Sequence, residues 1–265
     1  MIRVEPAALV FGTEGGERPD GGDMKVCPVR PFYLSEYPVS AGQWQVFQRA
    51  TGYESRACPV ETWDFGWTAV SADNGFEPLR TDHPVVGVTF ADSVAFCRWI
   101  SDGCGGDFRL PSEVEFEAAA RAGCSCRHYC ESARAVREKV RQYGNNASRR
   151  PPVLADAGEN RLGLRGMHGL IWQWCSDAVT PEGRVPSTER LVSPSLSKWS
   201  GKMAQGARII RGGSFAYPIE FARCASRSIS AGTDRNFNLG FRVAMCDHPA
   251  ADETQARLNV LLNAA

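Results

Sequence analysis

The sequence predicts an α+β domain in which two or three helices pack on small antiparallel sheets and much of the chain forms irregular loops. Two observations lead there. Helix starts are clearly signed at Ser40, Thr89 and Ser112, each followed by an apolar stripe. Between them, 26 glycines and 16 prolines break the chain into short β-prone runs.

The elements follow in order. Ser40-Ala41-Gly42-Gln43 is a Ser-x-x-Gln capping box, Trp44, Phe47 and Ala50 form the stripe behind it, and Gly52 can stop the helix. Thr89-Phe90-Ala91-Asp92 opens a second helix that runs to about Ile100. Ser112-Glu113-Val114-Glu115 opens a third, with Phe116, Ala119 and Ala120 on one face and Gly123 beyond its end. Arg134 to Arg141 reads as a solvated charged segment. Arg208–Arg211 and Phe241–Ala244 read as strands, and 12–23 and 181–206 as loops. Trp172 and Trp174 alternate as strand residues do, with one ring expected in the core. No repeat or long linker divides the chain, so residues 1–246 form one domain and 247–265 a tail. That tail can form a short helix through Leu258, Val260, Leu261 and Leu262.

Composition narrows the function classes. A hydrophobic share of 43% against 23% charged residues supports a sizeable core. Thirty basic and thirty acidic residues cancel, which gives no electrostatic basis for a nucleic-acid or anionic-membrane partner. No segment approaches the roughly 20 apolar residues that span a bilayer. Met1-Ile2-Arg3-Val4-Glu5-Pro6 lacks the apolar run of a secretory leader, so a cytoplasmic location is expected. Cys124, Cys126 and Cys130, with His128 among them, offer thiols for zinc, but their spacing is not that of a zinc knuckle. Free thiols in a loop are the favoured reading. Cys97, Cys175 and Cys224 sit in apolar motifs, where a thiol behaves as a small hydrophobe.

Four ordered motifs are more specific. They are His83-Pro84-Val85; Arg109-Leu110-Pro111-Ser112-Glu113-Val114-Glu115-Phe116-Glu117; Gly163 to Trp174, with Met167-His168-Gly169; and Arg211-Gly212-Gly213-Ser214-Phe215 closed by Gly240-Phe241-Arg242. Together they resemble the formylglycine-generating, or sulfatase-modifying-factor, family from about Val4 to Ala244. The resemblance implies a variant of the C-type lectin fold. It also implies scaffold pairs of Arg227 and Arg242 with acidic residues such as Glu115 or Glu117.

The family's oxidases convert a peptidyl cysteine to formylglycine with copper held by two cysteines, a soft thiolate pair suited to Cu(I). Aligned on the Gly-Gly-Ser-aromatic motif, the resemblance puts Tyr217 and Ala222 at those two places. No cysteine occurs from Phe215 to Arg223, so copper is not expected. The family's calcium segment reads Gly169-Leu170-Ile171-Trp172-Gln173 here, and Leu170 and Gln173 replace oxygen-rich and charged ligands. A second calcium position falls near Asn145-Asn146-Ala147. Related sulfoxide synthases bind iron through histidines, but only His83, His128, His168 and His248 are present, widely spaced. No cofactor is therefore expected, with calcium at its degraded family site the alternative left open, and no catalytic residue is assigned.

The expected role is recognition of an unidentified protein or small-molecule ligand. The resemblance extends to the variable proteins of diversity-generating retroelements, which vary a C-terminal segment between the same two landmarks. Here that segment holds Phe215, Tyr217, Phe221, Ser226, Ser228, Ser230, Asn236, Phe237 and Asn238, a mixture of rigid aromatics and small polar groups suited to binding. From Phe215 to Leu239, only Glu220 lies outside the amino acids whose codons can end in a pyrimidine, as adenine mutagenesis of asparagine codons would leave them. The alternative is an oxygen-dependent oxidoreductase of the same family that works on a peptide or small molecule without the thiol pair.

Overall fold

The computed structural model describes residues 1–5, 9–11, 25–55, 80–124, 151–180, 184–185, 190–191 and 206–263. The expected loop at 12–23, the charged segment at 134–141, residues 145–147 and Cys126, His128 and Cys130 lie outside them.

Three helices begin where the sequence places them, each with a complete capping box. The side chains of Ser40, Thr89 and Ser112 accept from the N–H three residues on, and Gln43, Asp92 and Glu115 return the bond. Helix α1 spans Ala41–Thr51 and ends at Gly52 in the left-handed region. Helix α2 spans Phe90–Cys104, one turn past the expected Ile100, because Ser101 and Asp102 continue it until Gly105 caps it. Helix α3 spans Glu113–Arg121. A fourth helix, α4 (Ala251–Asn263), packs Leu258 into the core beside α2. Val260 is 72% exposed, contrary to the expected apolar face, because only positions three and four apart share one side of a helix.

The strands are short: β1 (Ile2–Val4), β2 (Leu9–Phe11), β3 (Lys25–Cys27), β4 (Phe32–Leu34), β5 (Phe108–Arg109), β6 (Trp172–Ala178), β7 (Arg184–Val185), β8 (Arg190–Leu191), β9 (Ala207–Arg211), β10 (Arg227–Ala231), β11 (Leu239–Gly240) and β12 (Ala244–Cys246). One four-stranded sheet has the order β1-β4-β12-β5 and a second β10-β9-β6-β11; β2–β3 and β7–β8 form small ribbons. Pairing is antiparallel except for β11, which runs parallel to β6 with Leu239 opposite Trp172.

The expected strand Phe241–Ala244 is not continuous. Residues 241–243 carry the chain from β11 in one sheet to β12 in the other. Their backbone is used locally: Phe241 O accepts from Val39 N–H at 2.9 Å, and Val243 O from Ser35 N–H at 2.8 Å. Arg242 is fully buried at this crossing. Its Nε donates to Gln173 Oε1 at 2.6 Å, and its two terminal nitrogens donate to the carbonyls of Ser35 at 3.0 Å and Arg165 at 2.7 Å. Burial lowers its pKa, and these oxygens compensate for lost water.

The arginine–carboxylate pairs differ from those expected. Arg242 meets the amide of Gln173, and Glu115 is held in a fork by Arg109 at 2.7 Å. Arg227 reaches Glu113 at 2.8 Å, while Glu117 takes Arg211 and, at 2.8 Å, Arg121. Helical spacing explains the shift: Glu113 and Glu117 are four apart on the inward face of α3, whereas Glu115 points to its capping box. Trp172 and Trp174, two apart on one strand, are both buried in the same core cluster rather than one alone.

Candidate functional site

The candidate surface is built outward from Arg211. This buried end of β9 is fixed by Glu117 and by the carbonyls of Cys224 and Ser226. Gly212 and Gly213 then turn the chain at φ +98° and +69°. A Cβ at Gly213 would lie 2.4 Å from the Phe221 carbonyl oxygen, so glycine is needed for both conformation and space. The segment 214–222 closes on itself: Tyr217 N–H donates to Ser214 O, and Phe221 N–H to Pro218 O, both at 3.0 Å. Asn238 Nδ2 donates to Ser214 Oγ at 2.9 Å, and His168 Nδ1 lies 2.9 Å from Ala222 O.

The neighbouring loop between β10 and β11 is anchored by Arg235. Its Nη1 donates to Gly87 O at 3.0 Å and Ser55 Oγ at 2.8 Å, and lies 2.7 Å from Asp92 Oδ2. Asp92 also accepts from the Tyr53 hydroxyl at 2.8 Å. Burial alone would raise the Asp92 pKa; hydrogen bonds from Thr89 and Tyr53, with the charge of Arg235, hold it below the usual carboxylate value. Burial, joined by that bond to Asp92, pushes the Tyr53 phenol up to about 12.

The nine residues expected to contact ligand separate into two groups. Phe215, Ser226, Ser230 and Asn238 are buried and serve the interior. Tyr217 is 41% exposed, and Phe221, Ser228, Asn236 and Phe237 are half-buried. Phe215 and Phe237 meet edge-on at 5.8 Å. Tyr217 and Phe221 meet at 5.4 Å, and both contact Trp172, at 5.9 and 6.4 Å. Alternation leaves open which of Trp172 and Trp174 faces the core, and the contact of Trp172 with the segment 45 residues on has no local sequence signal.

The positions matching the family's thiols do not suit copper. Ala222 is buried and has no ligand atom in its side chain, and burial raises the pKa of the Tyr217 phenol, keeping it neutral. Cys97, Cys104 and Cys175 are buried with pKa values raised by desolvation, and Cys224 packs its sulfur 3.9 Å from Ala120 O. Cys124 is disulfide-bonded, which overturns the free-thiol reading for that residue. At the calcium segment, Leu170 and Ile171 are buried with Phe215, and Gln173 spends its amide on Gly166 O and Arg242. His83 is buried beside Asp82, and the His168 ring lies between two carbonyls. Among the described residues, no three His, Cys, Asp or Glu side chains converge as a metal site would require.

Mouse formylglycine-generating enzyme is 27% identical, over 95% of this chain and 76% of its own length. Among solved structures, PvdO from Pseudomonas aeruginosa superposes with a TM-score of 0.68 at 23% identity, covering 92% of this chain and 93% of that one. Treponema denticola variable protein 1 superposes with a TM-score of 0.63 at 18% identity, covering 93% and 95%. These two likenesses show the fold. The family description that matches residues 1–246 is the sulfatase-modifying factor enzyme 1-like domain, and with its motifs in order around the glycine turn and the buried arginines, the chain belongs to that family.

Proposed function

We propose that this chain is a non-catalytic recognition module on the formylglycine-generating-enzyme scaffold, binding a protein or small-molecule ligand through the segments 215–222 and 228–238. One observation carries the reading: the places of the copper thiolates hold an exposed, neutral phenol and a buried methyl group. A hard, neutral oxygen does not replace a soft thiolate for Cu(I). What remains is a rigidly anchored loop pair that presents aromatic and small polar side chains. The similarity of fold to a variable protein of Treponema denticola supports the further reading that this segment is diversified by a retroelement. A template repeat beside a reverse transcriptase gene, differing mainly at adenines, is its genetic test.

The second reading is an oxygen-dependent oxidoreductase acting without the thiol pair. It is supported by the similarity to mouse formylglycine-generating enzyme along almost the whole chain. Oxygen uptake with a cysteine peptide, followed together with the metal content of the purified protein, separates the two. Recognition predicts neither stoichiometric copper nor oxygen-dependent conversion of the peptide; turnover reverses the assignment.

A further inference from the structure

Arg208 is a cation that the fold orders without neutralising. By contrast, Arg109, Arg211, Arg227 and Arg235 each reach a carboxylate, and Arg242 is enclosed by carbonyl and amide oxygens. Arg208, half-buried on β9, reaches no carboxylate among the described residues. Its guanidinium carbon lies 4.2 Å from the centre of the Phe90 ring, and its Nη1 donates to Ser176 O at 3.2 Å. These two contacts fix the guanidinium, and neither cancels its charge. Its Nε and Nη2 donate to no described residue and stay open to solvent.

The acidic side chains of the adjoining segments are committed elsewhere. Asp92, in the first turn of the helix that starts at Phe90, is held by Arg235, Thr89 and Tyr53. Asp234, on the turn after β10, accepts from Ser230 Oγ at 2.5 Å and from Ala231 N–H at 3.0 Å. Asp177, next to Ser176 on β6, is buried and accepts from Glu113 N–H at 2.6 Å. Ser230 is the direct cross-strand partner of Arg208, and Ser228 lies two residues along the same face of β10. The Ser228 hydroxyl has no partner among the described residues and is open to solvent. The free cation therefore borders the proposed recognition segment 228–238.

We propose that Arg208 anchors a carboxylate carried by the ligand, gripped in a fork by Nε and Nη2 beside the Ser228 hydroxyl. This rests on the recognition reading and specifies its ligand as anionic. A guanidinium held on an aromatic ring has little freedom left to lose on binding, and two adjacent N–H donors match the two oxygens of a carboxylate. The carboxylate can be the C-terminus of a peptide or an acidic side chain.

NMR titration at low salt, following the Arg208 Nε–H and the Ser228 amide, tests the proposal. The probes are N-acetylglycine, a terminal carboxylate; N-acetylglutamate α-amide, a side-chain carboxylate; N-acetylglycinamide, which is neutral; and inorganic phosphate. Both carboxylates are expected to shift the two resonances saturably, and N-acetylglycinamide to leave them in place. Arg208→Gln should weaken the carboxylates about tenfold or more, the loss of charged hydrogen bonds, read at Ser228. Arg208→Lys keeps the charge without the fork and Phe90→Leu frees the guanidinium, so each should weaken binding several-fold. Thermal transitions check that the variants fold, and Arg208→Lys decides the matter if Arg208→Gln does not. Tighter binding of N-acetylglycine identifies a chain terminus, and tighter binding of the glutamate derivative an acidic side chain. The site is disproved if neither carboxylate binds, if N-acetylglycinamide or phosphate binds equally well, or if the folded Arg208 variants bind like the parent. None of those results touches the recognition reading, which falls to oxygen turnover instead.

Discussion

At the scale of single residues, the Asp92–Tyr53–Arg235 contact fixes the loop that carries Asn236 and Phe237, and its protonation behaviour can be read in stability. The Asp92 pKa is depressed in the folded chain. Its contribution is therefore present above the unfolded value of about 3.9 and is lost as pH falls through that value and the lower folded one. Tyr53 is shifted the other way, up to about 12. Its contribution is complete below the unfolded value of about 10 and fades as pH rises from there to about 12. Asp92→Asn should flatten the acid limb of a stability–pH curve, and Tyr53→Phe the alkaline limb. An unchanged acid limb in Asp92→Asn would remove Asp92 from this role. Neither residue was marked by the sequence beyond Asp92's place at a helix start. Tyr53 and Arg235 are 182 positions apart, and nothing in local periodicity reports such a meeting.

At the scale of elements, α3 ties the motif regions together through charge. Glu113 and Glu117 are fully buried and meet Arg227 of β10 and Arg211 of β9. Removing one member of a buried ion pair strands the other, at a cost of about 3–5 kcal/mol. Arg211→Met should therefore lower stability by that order in denaturant unfolding, while Arg109→Met, a β5 residue whose pair with Glu115 of α3 is partly exposed, should cost far less. Equal losses would show that burial of the pair is not what matters. The helix starts were legible because capping is local chemistry, written within four residues. The partners of Glu113 and Glu117 were not, because they depend on which face of α3 turns inward against a sheet more than 90 residues away. The break at 241–243 was hidden for a related reason: Phe-Arg-Val-Ala alternates as a strand does, but Arg242 has to turn inward between two sheets.

For the whole molecule, the family and its fold were readable from motif order, since glycine turns and arginine–carboxylate spacing constrain a backbone tightly. The binding surface was legible only in outline. Of the nine residues expected there, four are internal, and Trp172, which was not among the nine, touches Tyr217 from the core. The disulfide at Cys124 is a feature that thiol spacing did not mark. It also lies just beyond α3. Reduction with a thiol should lower the melting temperature of the purified protein, and thiol titration under denaturing, non-reducing conditions should find fewer than the ten thiols the sequence contains. Ten reactive thiols would contradict the bond.

The claim most exposed to test is that the loop 215–222 no longer holds a redox metal. Titrating reduced protein with Cu(I) in competition with a chelator, while following the NMR resonances of Tyr217 and Phe221, measures this directly. The account predicts no tight one-to-one site and no change in those resonances. A single tightly bound Cu(I) that shifts both would contradict it.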